Sequence, residues 1–393
     1  MPLPSKILIV DNDQSVVRQI ENLCQKHQIG CVGATTWENA LYHFNQSRFE
    51  VCVVSLVLED MAGPVLMQKW RNHELETKRD AVFVVTTGSA QLATDNAGIA
   101  ELDPAIWMQK PIKEPQLLSL LAKAVAMKAQ KEQMADVGEK LIKPLLKTGN
   151  HGEVVNILDT KISQMGALGL ELAAQTYETV EEIQKAIDSY RTLSEKAPSN
   201  MRYVSEIGRL EMQRGNMVEA KQAFEKADKV APHNIHRMEA MVQMYLHNKQ
   251  PDAALEKCLE IVKQDPSEPD KKFDLMEALD SFGYESHAQK LCEQTTKPLE
   301  LIRHFNNKGV LYSKEADYVS AIDEYKKAQK LIPKSKELYR ILYNEALARI
   351  NLKARPHLEQ AEEILLKCLE LNPGYEKAKE KLEVVRGRLK KAG

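Results

Sequence analysis

The sequence predicts two domains of different class: an α/β domain on a doubly wound parallel sheet, followed by an all-α array of helical hairpins. Three observations carry this expectation. Short β-rich apolar runs alternate with helical stretches over about the first 125 residues. After them the same small, aromatic and proline positions return every 34 residues. All three tryptophans (Trp37, Trp70, Trp107) fall in the first part, as two separate cores would have it.

The first apolar run, Lys6 to Val10, ends at Asp11-Asn12-Asp13, and Val16, Ile20, Leu23 and Cys24 then recur at helical spacing. A second run, Cys31 to Thr35, leads into Trp37, Ala40, Leu41 and Phe44. Val51 to Val54, Val82 to Val85 and Ile106 to Met108 supply three more strands. Pro115 to Lys128 closes the segment as a helix with Leu117, Leu118 and Leu121 on one side. Continuous apolar strands alternating with helices indicate a parallel sheet covered on both faces. Five β-α units at this length suit the flavodoxin-like order, whose site lies at the carboxyl ends of the strands.

The rest of the chain shows no strand signal. Its best repeat is 201–234, with Gly208, Ala220, Phe224, Ala227 and Pro232. Copies follow the same offsets at 167–200 (Ala174, Ala186, Tyr190, Pro198), 235–268 (Ala254, Cys258, Pro266) and 302–335 (Gly309, Ala321, Tyr325, Pro333). A weaker unit at 269–301 keeps Ala288 and Cys292. A final one from Lys336 keeps Ala346, Ala361, Leu365, Cys368 and Pro373, with about six extra residues assigned to its turn around Lys353–Leu358. Residues 134–166 read as a degenerate copy through Leu141, Val154 and Leu158. Small residues at the eighth and twentieth positions (Val242 is the exception at the eighth) let two helices cross closely, an aromatic or Cys at the twenty-fourth fills the seam, and Pro at the thirty-second stops the second helix. This pattern resembles the tetratricopeptide repeat. The fold class is thus a flavodoxin-like (βα)5 domain followed by an all-α tetratricopeptide-repeat solenoid. The expected boundaries are 1–127 for the α/β domain, 128–166 for a linker helix and degenerate first repeat, 167–375 for the repeats and 376–393 for a capping helix. From Pro115 to Pro144 the one candidate breaker is Gly138, so the last helix of the first domain is expected to continue, or nearly so, into the repeats.

Composition narrows the function classes. The chain has 393 residues, 28% charged and 43% hydrophobic, with 54 Lys plus Arg against 56 Asp plus Glu. That balance excludes a chain-wide electrostatic grip on nucleic acid or anionic lipid. No apolar stretch reaches the ~18 residues of a membrane helix, and the start has no signal-peptide pattern. Six scattered cysteines show no C-x-x-C pair, so neither disulfide staples nor a zinc knuckle is expected. The expectation is a reduced, cytoplasmic protein. The basic residues Arg386, Arg388, Lys390 and Lys391 read as the solvated face of the capping helix. H-E-x-x-H, G-x-S-x-G, P-loop and G-x-G-x-x-G motifs are all missing.

Four motifs give residues 1–127 a resemblance to the receiver domain of bacterial response regulators: Val10-Asp11-Asn12-Asp13, the loop ending at Gly63, Thr86, and Lys110-Pro111. The resemblance implies a two-component phosphorelay role. It further implies a pocket in which two acids bind Mg²⁺, an Asp accepts a phosphoryl group from a kinase's phosphohistidine, and a Thr and a Lys contact its oxygens. Carried over, the acids fall on Asp11 and Asn12, the Thr on Thr86, the Lys on Lys110 and the switch aromatic on Trp107. The acceptor, eight residues before the loop glycine, falls on Ser55.

That departure changes the chemistry expected. One carboxylate, Asp11, faces Lys110, whereas Mg²⁺ prefers several carboxylate oxygens, and a serine without a neighbouring base is a weak nucleophile. Neither a cofactor nor a resident metal is therefore expected, and the pocket residues are expected to serve as structure. Glu59 and Asp60 are the nearest alternative acids, four and five residues past the strand end.

In the repeats, Arg202, Ser205, Glu206 and Arg209, and in another unit Arg303, Asn306 and Asn307, fall on groove positions. Arg and Asn there can hold a peptide carboxylate or backbone. The expected function is a bacterial signalling adaptor without an output enzyme. Its repeats bind a protein partner, and its first domain docks a histidine kinase, another receiver or a second copy, with no nucleic-acid or membrane partner. Three rivals stay open: an orthodox response regulator with the repeats as regulated output, a weak phosphatase using the pocket, and a scaffold of a cell-surface machine.

Overall fold

The structure is a computed structural model describing residues 2–59, 61–71, 81–88, 101 and 105–391. Five parallel strands, β1 (Lys6–Val10), β2 (Gly30–Ala34), β3 (Val51–Ser55), β4 (Val82–Thr87) and β5 (Ala105–Gln109), form one sheet in the order β2-β1-β3-β4-β5. This is the doubly wound order that the alternating pattern predicts.

Because strand side chains alternate between faces, each apolar run covers both. One face (Ile7, Ile9, Val51, Val53, Val82, Val84) joins Val17, Ile20 and Cys24 of α1 (Gln14–Lys26) and Leu117 and Leu121 of α4 (Glu114–Val137). On the other, Phe83 lies 6.0 Å from the Trp70 ring of α3 (Gly63–Arg71), which stacks at 4.7 Å on Phe44 of α2 (Trp37–Gln46). β3 and β4 are buried along their whole length.

Helix α4 does not stop where the first domain ends. It passes through one wide turn, Gly138–Ile142, directly into α5 (Lys143–Lys147), so the expected continuation is present. The wide turn also rotates the register: Ile142 is buried while Leu141, expected in the core of the degenerate copy, is exposed. Val154 and Leu158 of α6 (His151–Thr160) are buried as expected.

Helix pairs follow: α7 (Gly166–Thr179) with α8 (Ile183–Lys196), α9 (Met201–Gln213) with α10 (Met217–Val230), then α11 (Ile235–His247) and α12 (Pro251–Gln264). Beyond them come α13 (Lys271–Ser281) and α14 (Glu285–Thr295), α15 (Pro298–Lys314) and α16 (Tyr318–Leu331), α17 (Tyr339–Asn351) and α18 (Arg355–Leu371), and finally α19 (Glu376–Lys391). The chain divides into two compact units, one of residues 1–248 with 263–267, the other of 249–262 with 268–393. In the last repeat the extra residues do not lengthen the turn. They form a short 3₁₀ segment, Lys336–Leu338, and an added first turn of α18, because Arg355-Pro356 is a good helix start.

The repeat spacing acts as expected. A Cβ at Gly208 would come within 3.0 Å of the Phe224 ring, and one at Gly309 within 2.4 Å of the Tyr325 ring. Aromatic bulk on the second helix therefore requires its absence on the first. Gly309→Ala is expected to destabilise the chain by about 1–3 kcal/mol, and Gly208→Ala by less, in chemical denaturation.

Candidate functional site

Parallel strands bring their carboxyl ends to one edge, and the residues assigned from sequence gather there. Asp11 follows β1, Ser55 ends β3 in register with Thr86 of β4, and Lys110 follows β5. Asp11, Ser55 and Thr86 are all buried. Lys110 Nζ lies 2.6 Å from Asp11 Oδ2, an ion pair without an aligned hydrogen bond, while Asp11 Oδ1 accepts from the Asp13 N–H at 3.1 Å.

The remaining groups offer little negative charge. Asn12 is exposed. Asp13 turns its carboxylate away to cap α1, accepting from Ser15 N at 2.8 Å and Ser15 Oγ at 2.6 Å. Those two bonds hold its carboxyl below the usual range. The β3–α3 loop is tight: a Cβ at Gly63 would lie 2.3 Å from the Ser55 carbonyl oxygen, which is why this position requires glycine. Glu59 is exposed in that loop, and Asp60 lies outside the described residues. Trp107, at 51% exposure, faces solvent rather than the core. Among the described residues, the donor set for a divalent cation is thus one carboxylate already paired with an ammonium, an exposed amide and a hydroxyl. Among the described residues no cluster of three or more His, Cys, Asp or Glu is placed to hold a metal ion.

A second candidate lies on the repeats. Arg202, Glu206 and Arg209 of α9 line a cavity of about 420 Å³ with Gln175, Glu178 and Thr179 of α7 and Tyr190 of α8. Arg209 is held by Glu178 and by Glu206, whose Oε2 lies 2.8 Å from Nε. Burial works against its charge, but the two carboxylates outweigh burial and push its pKa up. Arg202 approaches Glu171 at 3.9 Å. In the second unit Arg303 and Asn307 are exposed, whereas Asn306 Oδ1 accepts from Asn344 Nδ2 at 2.5 Å. Sequence reasoning missed Glu178, the acid that fixes Arg209. A carboxylate 31 residues before an arginine, close to one repeat length, is the signal that could have found it.

Residues 7–122 match the family model described as response regulator receiver domain, and residues 303–335 match a tetratricopeptide repeat model. Among solved structures, a receiver domain protein from Clostridium thermocellum is 19% identical, covering 32% of this chain and 98% of its own, with a TM-score of 0.29. A sensor protein from Polaromonas sp. JS666 is 24% identical over 31% of this chain and 97% of its own, TM-score 0.29. A CheY-like receiver domain protein from Methanospirillum hungatei JF-1 is 20% identical over 32% of this chain and 98% of its own, TM-score 0.29. No curated protein matches the chain.

Proposed function

Taking residues 7–122 as a response regulator receiver domain and residues 303–335 as a tetratricopeptide repeat, we propose a two-component signalling adaptor whose receiver works without a phosphoryl group. Its repeats hold a protein partner, and it has no output enzyme. Its place of action is the bacterial cytoplasm. The observation that carries this proposal is the serine at the end of β3, with Lys110 already seated on Asp11 at 2.6 Å.

An acyl phosphate needs a carboxylate nucleophile, and a serine hydroxyl is not one. Among the described residues the site fits Mg²⁺ poorly, since its one buried carboxylate, Asp11, is already paired with Lys110. The Asp11–Lys110 pair then ties β1 to β5 and keeps the surface of the domain in one shape. Such a surface suits docking to a histidine kinase, to another receiver or to a second copy of this chain. On the repeat side, the cavity beside Arg202, Glu206 and Arg209 presents both signs of charge at fixed positions, which suits directed hydrogen bonds to a peptide.

Titration of the full chain with beryllofluoride and Mg²⁺, followed by calorimetry, tests the receiver half. No saturable heat is expected. Saturable, Mg²⁺-dependent binding would overturn phosphorylation independence, and its loss in Glu59→Ala with Asp60→Ala would move the acceptor into the loop.

A further inference from the structure

The receiver touches the repeats through side chains that no sequence spacing links. From α3, Gln68 Nε2 donates to the His233 carbonyl at 2.6 Å, and its Oε1 accepts from the Ile235 N–H at 2.9 Å. One amide therefore reads both backbone groups at the start of α11. Lys69 Nζ, beside it, lies 2.8 Å from Asp265 Oδ2. Glu101 supplies a carboxylate. One oxygen accepts from Arg237, and the other from Asn234 Nδ2 at 3.1 Å.

Arg237 has a fully buried side chain that also donates to Ser205 Oγ at 3.0 Å and to the Ala231 carbonyl. Its Nε faces Asp228 Oδ1 at 3.6 Å without an aligned hydrogen bond. Apart from Glu101, every group in this cluster comes from the repeats: α9, α10 and the start of α11. A guanidinium and an amide that take the two oxygens of one carboxylate make a carboxylate site. Ser205 is one of the groove positions expected from the repeat count, so the site borders the surface that would receive a partner.

We propose that Arg237 and Asn234, with Ser205 positioning Arg237, form a carboxylate-binding site of the repeat array, filled by the receiver's Glu101 as an intramolecular ligand that an acidic peptide displaces. This deepens the partner-binding role assigned to the repeats and rests on it. Because Glu101 is tethered, its effective concentration is on the order of millimolar, and a free peptide competes poorly until the receiver lets go.

The test uses the full chain, with a fluorescent hexaglutamate peptide as probe and amide hydrogen exchange at Ile235 as the reporter of docking. Glu101→Gln is expected to speed Ile235 exchange and to tighten peptide binding, each by about tenfold or more. The gain is expected to vanish in Glu101→Gln combined with Arg237→Met, and in a second pairing with Asn234→Ala should the first fail to fold. Unchanged exchange and binding in Glu101→Gln would overturn the proposal, as would a binding gain that survives the paired substitutions. Beryllofluoride binding by the receiver would sink its phosphorylation independence and leave this result standing. A missing peptide gain would do the reverse.

Discussion

Replacing Ser55 by Asp and Asn12 by Asp together is expected to create Mg²⁺-dependent beryllofluoride binding at least about tenfold tighter than in the parent chain, a difference of about 1.4 kcal/mol or more. The two positions follow β1 and end β3, and β1 and β3 are neighbours in the sheet, so the new carboxylates and Asp11 would share one edge. Three carboxylates against Lys110 leave net negative charge for a hard cation, where the parent has one acid already neutralised at 2.6 Å. Repulsion among the added acids is expected to lower stability when Mg²⁺ is absent and to be relieved when it binds. Calorimetry and thermal melting with and without Mg²⁺ read both effects. If the double variant stays inert, the missing acids are not what keeps the parent pocket from binding.

Arg237→Ala is expected to cost about 3–5 kcal/mol, because removing one partner of a buried ion pair strands the other charge. Glu101 would lose its guanidinium, and Ser205 Oγ and the Ala231 carbonyl would lose a donor. The loss should depend on pH in a definite direction. Burial already holds the Glu101 carboxyl above its ordinary 4.5, with Arg237 pulling the other way, so taking Arg237 away raises it further. A carboxyl whose folded value is raised gives stability that is complete below the unfolded value and lost as pH rises through the folded one. The deficit of Arg237→Ala against the parent is therefore expected to be smallest near pH 4 and to widen toward neutrality, in urea unfolding at a series of pH values. A deficit that stays flat over that range would mean Glu101 is not the stranded charge. Arg237→Lys keeps the charge without the planar fork and should lose less than Arg237→Ala.

The sequence by itself determined the element types and the hairpin register, because both follow from local periodicity, while the strand order came from the count of β-α units and the pocket edge from the receiver resemblance. A fully apolar strand must be covered on both faces, and a glycine 16 residues before an aromatic, as Gly208 before Phe224 and Gly309 before Tyr325, encodes a close crossing. Ser55 was legible only through the receiver resemblance, which places the acceptor eight residues before the loop glycine Gly63. Only the tertiary structure decided where charges found partners. Lys69 meets Asp265, and Glu101 reaches Arg237 across 136 residues. The placement of Leu141 and the extra residues of the last repeat were likewise decided by packing, through one wide helical turn and a longer α18. The physical reason is the same in each case. Apolar burial repeats with the period of the element and can be read along the chain, whereas an ion pair depends on two side chains meeting in space, which no periodicity records.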